Sequence, residues 1–273
     1  MANLNINSLL KHIDELRVIM ADTSMHILAI NETKIDDLVS DNEIRISGYN
    51  IIRKDRNRNG GGVLMYIHES ITLLERSDLC PDSLEMICVE IMKPHNGSFL
   101  VSCWYRPPNS NVDLFNDFES FLQNCETKDY ELHVMGDLNC NTDKLSPDHN
   151  TRKLLFSSEL YQLEQLINEP TRVTKTSASL IDLVLTNKRK NISHSGVIHL
   201  GISDHSMIYT VRKLTIPKSD PKTKIVRNFK NFNVNDFLRD LSQIPWETTV
   251  IQDNPNTCWK IWKSFYLGVL DRH

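Results

Sequence analysis

Five short motifs of carboxylates, amides and one histidine follow one another along the chain. They are Asn5-Ile6-Asn7, Asn31-Glu32-Thr33-Lys34, Gly136-Asp137-Leu138-Asn139, Ser179-Leu180-Ile181-Asp182 and Ser203-Asp204-His205. Most of them end a short apolar run, where a buried strand would deliver a polar side chain to the rim of a sheet. Oxygen-rich side chains gathered in this way suit a hard divalent cation and a phosphodiester. The ordered set therefore predicts a metal-dependent site for cleaving phosphoesters.

Each motif alone has an ordinary structural explanation. An Asp-His pair such as Asp204-His205 is common on surfaces, and Asn31-Glu32 could begin a helix, because asparagine caps helices and glutamate favours the first turn. Gly136-Asp137 is also an ordinary turn sequence. The prediction of a site therefore depends on all five motifs occurring together and in order.

Hydrolysis of a phosphodiester makes three demands on such a site. Charge on the non-bridging oxygens must be neutralised, a water must be activated, and the leaving alkoxide must be stabilised. A divalent cation meets the first and third demands. A histidine beside a carboxylate can move the proton or, as imidazolium, stabilise the anionic transition state. From the sequence alone, Asp137 and His205 are both candidates for the general base.

The composition is that of an ordinary globular protein, with 273 residues, 40% hydrophobic and 24% charged. The net charge of −4 gives no global attraction to nucleic acid, so a site for a polyanion must be locally basic. The cysteines lack zinc-type spacing and are expected to be free thiols. We find no signal peptide and no apolar run of about 18 residues. An intracellular, soluble protein without a membrane partner is expected.

The hydrophobic pattern predicts the elements that must position the motifs. Apolar residues at helical spacing predict helices over 9–20, 113–125, 152–165 and 258–270. Short apolar runs predict strands over 27–30, 63–67, 86–92, 99–105, 132–135, 180–185 and 207–211. Two hairpin loops are expected, His95-Asn96-Gly97 and the polar stretch 53–62, whose three glycines are not followed by the Lys-Ser/Thr of a phosphate-binding loop. Helices that alternate with β-rich stretches indicate an α/β (α+β) fold of two packed sheets flanked by helices.

The amino-acid composition of the chain changes near residue 214. Residues 1–213 carry all the motifs and are expected to form one domain. A linker-like stretch at 217–222 follows, with two prolines among charged residues, and then scattered aromatic side chains. Residues 214–273 are therefore expected to be a separate segment.

The motifs resemble those of the endonuclease/exonuclease/phosphatase superfamily, which includes deoxyribonuclease I. The nearest resemblance is to the endonuclease domain of LINE-type (non-LTR) retrotransposons, over about residues 2–213. The sequences that carry it are Asn5-Ile6-Asn7-Ser8-Leu9, Ile30-Asn31-Glu32-Thr33-Lys34, Asn59-Gly60-Gly61-Gly62, Trp104-Tyr105-Arg106-Pro107-Pro108, Gly136-Asp137-Leu138-Asn139, Glu169-Pro170-Thr171-Arg172, Ser179-Leu180-Ile181-Asp182-Leu183 and Gly201-Ile202-Ser203-Asp204-His205. One departure is Asn7, because many superfamily members have aspartate at that place.

The resemblance implies a four-layer α/β/β/α sandwich of two mixed sheets, with the active site at one end of the sheets. It implies Mg²⁺ as cofactor, with Mn²⁺ as a possible substitute, because Mg²⁺ keeps several waters and needs only one or two protein carboxylates. Glu32 resembles the principal metal ligand. Asn5, Asn7 and Asp204 resemble its metal-side partners, and asparagine at position 7 implies a milder metal shell.

The resemblance also implies catalytic roles. His205 would face the scissile phosphate with Asp182 as its orienting carboxylate. Asp137 and Asn139 would position the attacking water and the phosphate. Tyr105 would hydrogen-bond the phosphate or help the leaving group. Glu32 completes the predicted catalytic set.

DNA is the partner that the resemblance implies, with the residues expected to contact it being Arg56, Arg58, Arg106, Asn139 and Ser203. In the parent element, residues 214–273 would lead to a C-terminal reverse transcriptase domain. A monomer that acts in the nucleus is expected, the location being inferred from the substrate alone.

Two alternatives stay open at this point. The chain could be another phosphoesterase of the superfamily, such as an abasic-site endonuclease, a deadenylase or an inositol-polyphosphate phosphatase. It could also be an inactive retroelement relic that only folds or binds DNA. The relic hypothesis has a structural basis, because the chain begins close to Asn5 and the first strand, expected at the centre of its sheet, would be truncated.

Overall fold

The computed structural model describes residues 1–93, 96–213, 230, 232–251 and 254–273. These residues form two compact units, Met1–Ile216 and Pro217–His273, and each is described by itself. His95 of the hairpin turn predicted at 95–97 and the whole linker predicted at 217–222 lie outside the described residues.

The described residues of the first unit form fourteen strands and three α-helices. The strands are β1 Ala2–Asn5, β2 Ile27–Asn31, β3 Tyr49–Lys54, β4 Val63–His68, β5 Leu73–Glu75, β6 Glu85–Lys93, β7 Asn96–Tyr105, β8 Glu131–Asp137, β9 Glu164–Gln165, β10 Arg172–Val173, β11 Ala178–Ser179, β12 Asp182–Thr186, β13 Ile192–Ile198 and β14 Met207–Arg212. The helices are α1 Leu9–Asp22, α2 Leu114–Glu126 and α3 His149–Leu160.

Twelve of the strands form two mixed six-stranded sheets. The first has the order β13-β14-β1-β2-β4-β3 and the second the order β5-β6-β7-β8-β12-β9, while β10 and β11 form a separate hairpin. Each large sheet contains one parallel pair, β1 with β2 and β7 with β8. The predicted architecture of two mixed sheets flanked by helices is confirmed. The expected central position of the first strand is also present, because β1 pairs on both sides.

The central strands β1, β2 and β4 of the first sheet are buried on both faces, which explains the nearly continuous apolar sequences of β2 and β4. In β2, Leu28 and Ile30 belong to the buried cluster that includes Leu9 and Leu16 of α1. The alternate residue Ala29 belongs to the cluster that includes the second sheet. Because side chains alternate across a strand, one strand serves two apolar layers. Helix α1 therefore covers the outer face of the first sheet.

The outer face of the second sheet is covered by α2. Trp104 of β7 stacks on Phe118 at a centroid distance of 4.3 Å and meets Phe115 edge-on at 6.2 Å. Its neighbour Cys103 points the other way, toward the first sheet, where its thiol lies 3.4 Å from the amide of Asn31. Helix α3 packs beside α2, where Ser157 donates a hydrogen bond to the Glu119 carboxylate. The first unit is thus a helix–sheet–sheet–helix sandwich.

Several elements differ from the sequence prediction, among them the short strands β5, β9, β10 and β11, which were not predicted. The predicted helix over 152–165 begins earlier, with Asp148 as its N-cap, and ends at Leu160, because Gln162 takes a left-handed φ of 53° before β9. Strands β3 and β13 were not predicted. Both lie at a sheet edge, where exposed polar side chains interrupt the apolar pattern that reveals central strands.

The second unit contains helices α4 Val234–Ser242 and α5 Pro255–Leu270. The predicted helix over 258–270 is confirmed, with Asn254 as its N-cap and proline at its first position. Trp259, Trp262 and Tyr266 form a stacked ladder along α5, with successive ring centroids 5.2 Å apart. Within the described residues, none of the helices combines the length and the apolar character needed to cross a membrane.

One buried ion pair joins the two sheets. Arg212 of β14 donates to both carboxylate oxygens of Glu131 of β8, at 2.8 and 2.7 Å, and the two side chains are only 6% and 10% exposed. His133 and Asn191 also contact this carboxylate. Burial alone would raise the pKa of Glu131, but these hydrogen bonds and charges hold it well below its usual value.

We predict that Glu131→Gln lowers the free energy of unfolding by about 3–5 kcal/mol, because it leaves the Arg212 guanidinium buried without a counter-charge. Urea unfolding at pH 7 measures the loss. The matched control is Asp14→Asn, which removes an exposed ion pair with Arg17 and should change stability by less than about 1 kcal/mol.

The contribution of Glu131 to the free energy of unfolding depends on pH. Since the folded-state pKa of Glu131 lies below its unfolded value near 4.5, its stabilisation is present above that pH and declines as the pH falls below it. The stability difference between the wild type and Glu131→Gln should therefore shrink between pH 5 and pH 3. A difference that stays constant over this range would contradict the account.

Candidate active site

The polar motifs meet at one end of the two sheets. Asn5 and Asn31 end the parallel strands β1 and β2, and Tyr105 ends β7 and Asp137 ends β8 in the other sheet. Asp182 begins β12, which runs antiparallel to β8 and pairs Asp182 directly with Asp137. Strand direction therefore brings distant sequence positions to the same rim.

A cavity of about 290 Å³ opens at this rim. Its lining is almost entirely polar and consists of Asn5, Asn7, Glu32, Lys34, Tyr105, Pro108, Asp137, Asn139, Arg172, Asp204 and His205. Two larger cavities, of about 640 and 410 Å³, contain none of the predicted site residues. The small polar cavity is the candidate active site.

Glu32 lies on one wall of this cavity with three side chains around its carboxylate. Asn5 and the Tyr105 hydroxyl donate to Oε1, at 3.1 and 3.0 Å, and the Lys34 ammonium lies 3.1 Å from Oε2. Partial burial works to raise the pKa of Glu32, but these hydrogen bonds and the Lys34 charge outweigh it and lower the pKa. Glu32 is thus held as a carboxylate.

The loop that carries Glu32 has an unusual backbone. Glu32 and Lys34 both take a φ of 51°, in the left-handed region that costs a side chain energy. The loop is held by the glycine run, because Thr33 and Lys34 donate backbone hydrogen bonds to Gly62 and Gly61. A Cβ on Gly62 would lie 2.3 Å from the Thr33 hydroxyl. The glycines are therefore a turn, as predicted, and their role here is close approach to the Glu32 loop.

Asp137 lies deeper, between the two walls. Asn5 donates to its Oδ2 at 2.9 Å and the Asn139 backbone donates to its Oδ1 at 3.0 Å. Its own backbone N–H donates to the Asn31 side chain, which is completely buried between the sheets. Burial, followed by the nearby charge of Asp182, raises the pKa of Asp137 to about 7. This carboxyl group can therefore change protonation near neutral pH.

His205 forms the second wall, and the buried Asp182 lies behind it. Nδ1 of His205 lies 2.9 Å from one Asp182 oxygen and 3.1 Å from the other, and Nε2 lies 3.9 Å from Asp137. Burial would lower the pKa of His205, but the hydrogen bond and charge of Asp182 raise it above its ordinary value. The imidazole is thus fixed in orientation, with Nε2 turned toward Asp137.

The donor set fits a divalent cation. Asp137, Asp182 and His205 each offer one ligand atom. These three atoms lie within 4.8 Å of one another, so this buried group could hold a metal. On the opposite wall, the Lys34 ammonium contacts the carboxylate of Glu32 and the amide oxygen of Asn7. The Lys34 ammonium therefore contacts two of the side chains that the resemblance assigned to a metal, Glu32 and Asn7. Carboxylate and amide oxygens of this kind suit Mg²⁺ or Mn²⁺.

Most predicted site residues line the cavity, and three of them, Asn7, Glu32 and Asp204, contact a cationic side chain there. Asn7 accepts from Lys34, and Asp204 accepts from Arg172 at 2.8 Å. Lys34 and Arg172 were not predicted as site residues. Both belong to motifs that the sequence analysis used, so the available signal was a basic side chain two or three positions after a motif glutamate.

The residues expected to contact DNA differ in how exposed they are and in how close they lie to the cavity. Arg56 and Arg58 are exposed, although each is paired with a carboxylate, Glu85 and Asp36 respectively. Ser203 lies next to the cavity, where its hydroxyl accepts the His205 backbone N–H.

Arg106 requires a correction. It is completely buried, donates to the backbone carbonyls of Leu138 and Ser110, and stacks 5.2 Å from the centre of the Phe115 ring. Its side chain braces the Asp137 loop from inside and is not accessible to a nucleic acid.

Comparisons with known proteins agree with this geometry. Residues 99–209 match the model of a family described as endonuclease-reverse transcriptase. No curated protein matches the chain at a significant level.

Solved structures share the fold of the first unit. The endonuclease domain of TRAS1, a telomere-specific non-LTR retrotransposon, is 16% identical with a TM-score of 0.62, covering 78% of this chain and 97% of that domain. An AP endonuclease from Archaeoglobus fulgidus has the same identity and TM-score, 16% and 0.62, covering 78% of this chain and 98% of its own. A 3′-5′ exonuclease from Neisseria meningitidis is 14% identical with a TM-score of 0.62, covering 77% and 98%.

These findings confirm the resemblance that the motifs indicated. The chain has the fold of the endonuclease/exonuclease/phosphatase superfamily, and its structural neighbours are nucleases and phosphatases. They agree with the prediction of a hydrolytic endonuclease.

The contact between Gly136 and Trp104 gives a test of the site's framework. Gly136 has a φ of 155°, and a Cβ added there would lie 1.8 Å from the Trp104 carbonyl oxygen. We predict that Gly136→Ala lowers the free energy of unfolding by at least about 2 kcal/mol. The added Cβ would overlap the Trp104 carbonyl, and alanine disfavours this φ.

Urea unfolding compares this variant with Gly97→Ala, where an added Cβ meets nothing within 4 Å. Equal effects of the two substitutions would show that the close approach to Trp104 is not needed.

Proposed function

We propose that the chain is a Mg²⁺-dependent DNA endonuclease that nicks one strand and leaves a 3′-hydroxyl and a 5′-phosphate. The observation that carries the proposal is the small polar cavity in which Glu32, Asp137 and His205 face one another across two sheets. The match to an endonuclease-reverse transcriptase family over 99–209 supports DNA as the substrate. In the parent element, a reverse transcriptase domain following residues 214–273 would extend the 3′-hydroxyl, and such a target would be reached in the nucleus.

Glu32 would hold the cation, with Asn5 fixing the orientation of its carboxylate through the hydrogen bond to Oε1. Asn7 and Asp204 line the same cavity and would contact the ion's water shell. Binding requires Lys34 to leave Glu32 and Asn7, because an ammonium and a divalent cation repel each other at this distance. When bound, Mg²⁺ or Mn²⁺ neutralises charge on the phosphate and on the leaving oxygen.

Asp137 and His205 would handle the proton of the attacking water. The raised pKa of Asp137, about 7, and the raised pKa of His205 both suit proton transfer near neutrality. Asp182 keeps the imidazole in one tautomer, because its oxygens accept from Nδ1 and leave Nε2 for the phosphate. Asp137 and His205 both remain candidates for the general base.

Tyr105 and Asn139 would bind the phosphate. Burial and the Glu32 charge raise the pKa of Tyr105, so the phenol stays protonated and can donate a hydrogen bond. Asn139 is held by its amide, which donates to the Arg106 carbonyl at 2.9 Å. These contacts fix the substrate relative to the reacting water, which is where much of the rate gain of such a site would arise.

The basic residues of the β3–β4 loop would contact the DNA backbone. The Arg56 guanidinium lies 6.0 Å from the centre of the Tyr105 ring, so the loop adjoins the cavity. Arg58 is exposed and paired with Asp36. Phosphates could replace these carboxylate partners, because exposed ion pairs are weak.

A supercoiled-plasmid assay tests the proposal. We predict open circles in Mg²⁺ and none in EDTA, with Glu32→Gln and His205→Ala each slowing nicking by roughly 10²–10⁴-fold through loss of the metal ligand and the proton handler. Asp14→Asn, on the exposed face of α1, should nick at the wild-type rate. Absence of nicking by a folded wild-type protein would favour the inactive relic.

DNA contact is tested separately by binding in EDTA, measured as fluorescence anisotropy of a labelled duplex. Arg56→Gln and Arg58→Gln should each weaken binding and each lower the slope of log affinity against log salt by about 0.9, the value for one lost phosphate contact. Arg45→Gln, an exposed residue beside α1, is the control and should leave the slope unchanged. An unaltered slope in all three variants would remove the loop from the interface.

A further inference from the structure

Glu169-Pro170-Thr171-Arg172 is a motif to which the proposed function assigns no role. It precedes the hairpin β10–β11 and lies against the two segments that carry Asp182 and His205. Thr171 is completely buried. Its contacts connect these two segments to each other.

The side chain of Thr171 supports Asp182. Its Oγ1 accepts the backbone N–H of Asp182 at 3.1 Å and that of Ile181 at 3.3 Å. Asp182 is the first residue of β12, so its N–H lies at the strand end, where the ladder to β8 begins. The threonine hydroxyl therefore satisfies two buried donors that would otherwise be left without partners.

The backbone of Thr171 supports His205. Its carbonyl accepts the N–H of Ser206 at 2.7 Å, and Arg172 forms an antiparallel bridge with His205. The loop between β13 and β14 contains His205 and is long, so this pairing fixes the end of the loop nearest the cavity. Two nitrogens of the Arg172 guanidinium contact Oδ2 of Asp204, Nε at 2.9 Å and Nη2 at 2.8 Å.

We propose that Thr171 is a positioning residue for the His205–Asp182 pair, because its hydroxyl sets the strand end that carries Asp182 while its carbonyl sets the loop that carries His205. The 2.9 Å contact between Nδ1 and the carboxylate depends on both attachments. This inference rests on the proposed function for its catalytic consequence, whereas its structural part stands apart from activity.

The test uses Thr171→Val, which removes the hydroxyl at nearly the same shape, and Thr171→Ser, which keeps it. The matched control is Thr186→Val, at the opposite end of β12 from Asp182. Thr186 is equally buried and its Oγ1 also accepts a backbone N–H, that of Lys188 at 3.2 Å. Val at either position removes one buried hydroxyl, which accepts two backbone N–H groups at Thr171 and one at Thr186, so the control reports the effect of losing a buried hydroxyl at the far end of β12.

The first readout is the downfield proton NMR signal of the His205 Nδ1–H bound to Asp182, assigned by its absence from His205→Gln. We expect Thr171→Val to shift or lose this signal, and Thr171→Ser and Thr186→Val to keep it. The second readout is nicking, where Thr171→Val should lower kcat by roughly 100-fold with little change in KM, since misplacement of a reacting group acts on the chemical step.

The outcomes separate this inference from the proposed function. An unchanged NMR signal in folded Thr171→Val, or an equal loss in Thr186→Val, would overturn the positioning role whether or not the protein nicks DNA. Should Thr171→Val fail to fold, Thr171→Ser decides, because loss of the signal with the hydroxyl retained contradicts the proposal and its retention supports it. A lost signal in a protein without nicking activity would support the positioning role and refute only the function.

Discussion

Two carboxylates, Asp137 and Asp182, are paired across neighbouring strands and are almost completely buried. Charges of the same sign at such a place repel each other and are poorly solvated, so they persist only with partners close by. The surrounding structure provides those partners. His205 lies against Asp182, and the Asn5 amide and the Asn139 backbone both donate to Asp137. Much of the rest of the rim holds these partners in place.

The loops that deliver the partners carry much of the chain's backbone strain. Asn7, Glu32, Lys34 and Asn139 are non-glycine residues with φ between 48° and 51°, and all four line the cavity. Residues keep such conformations only where the surrounding structure determines them strongly. Here the support comes from the glycine run beside Glu32 and from the Arg106 carbonyl, which accepts from the Asn139 amide. The apolar layers on both faces of the sheets stabilise these loops indirectly, because they fix the strand ends from which the loops begin.

The sequence predicted the central strands and the rim they share, because residues such as those of β2 are continuously apolar up to a polar end. It did not predict edge strands β3 and β13, whose exposed polar residues resemble a loop. Arg106 was expected to contact DNA from the family resemblance alone, but it is completely buried against Phe115 of α2, a contact that the sequence does not reveal. The buried contact of the Asn31 side chain with the Asp137 N–H joins positions 106 residues apart, and no local pattern reveals it. Thr171 was missed for the same reason.

In the proposed function, Glu32 on one wall of the cavity would hold the cation, while His205 on the opposite wall, backed by Asp182, would handle the proton and the phosphate. Crystals grown with Mn²⁺, and recorded at the manganese absorption edge, test this claim directly through an anomalous difference map. The account predicts a single peak at a metal–ligand distance of about 2.1 Å from the Glu32 carboxylate, with Lys34 displaced from it. A peak bound by Asp137, Asp182 and His205 with none at Glu32, or no peak in the cavity, would contradict it.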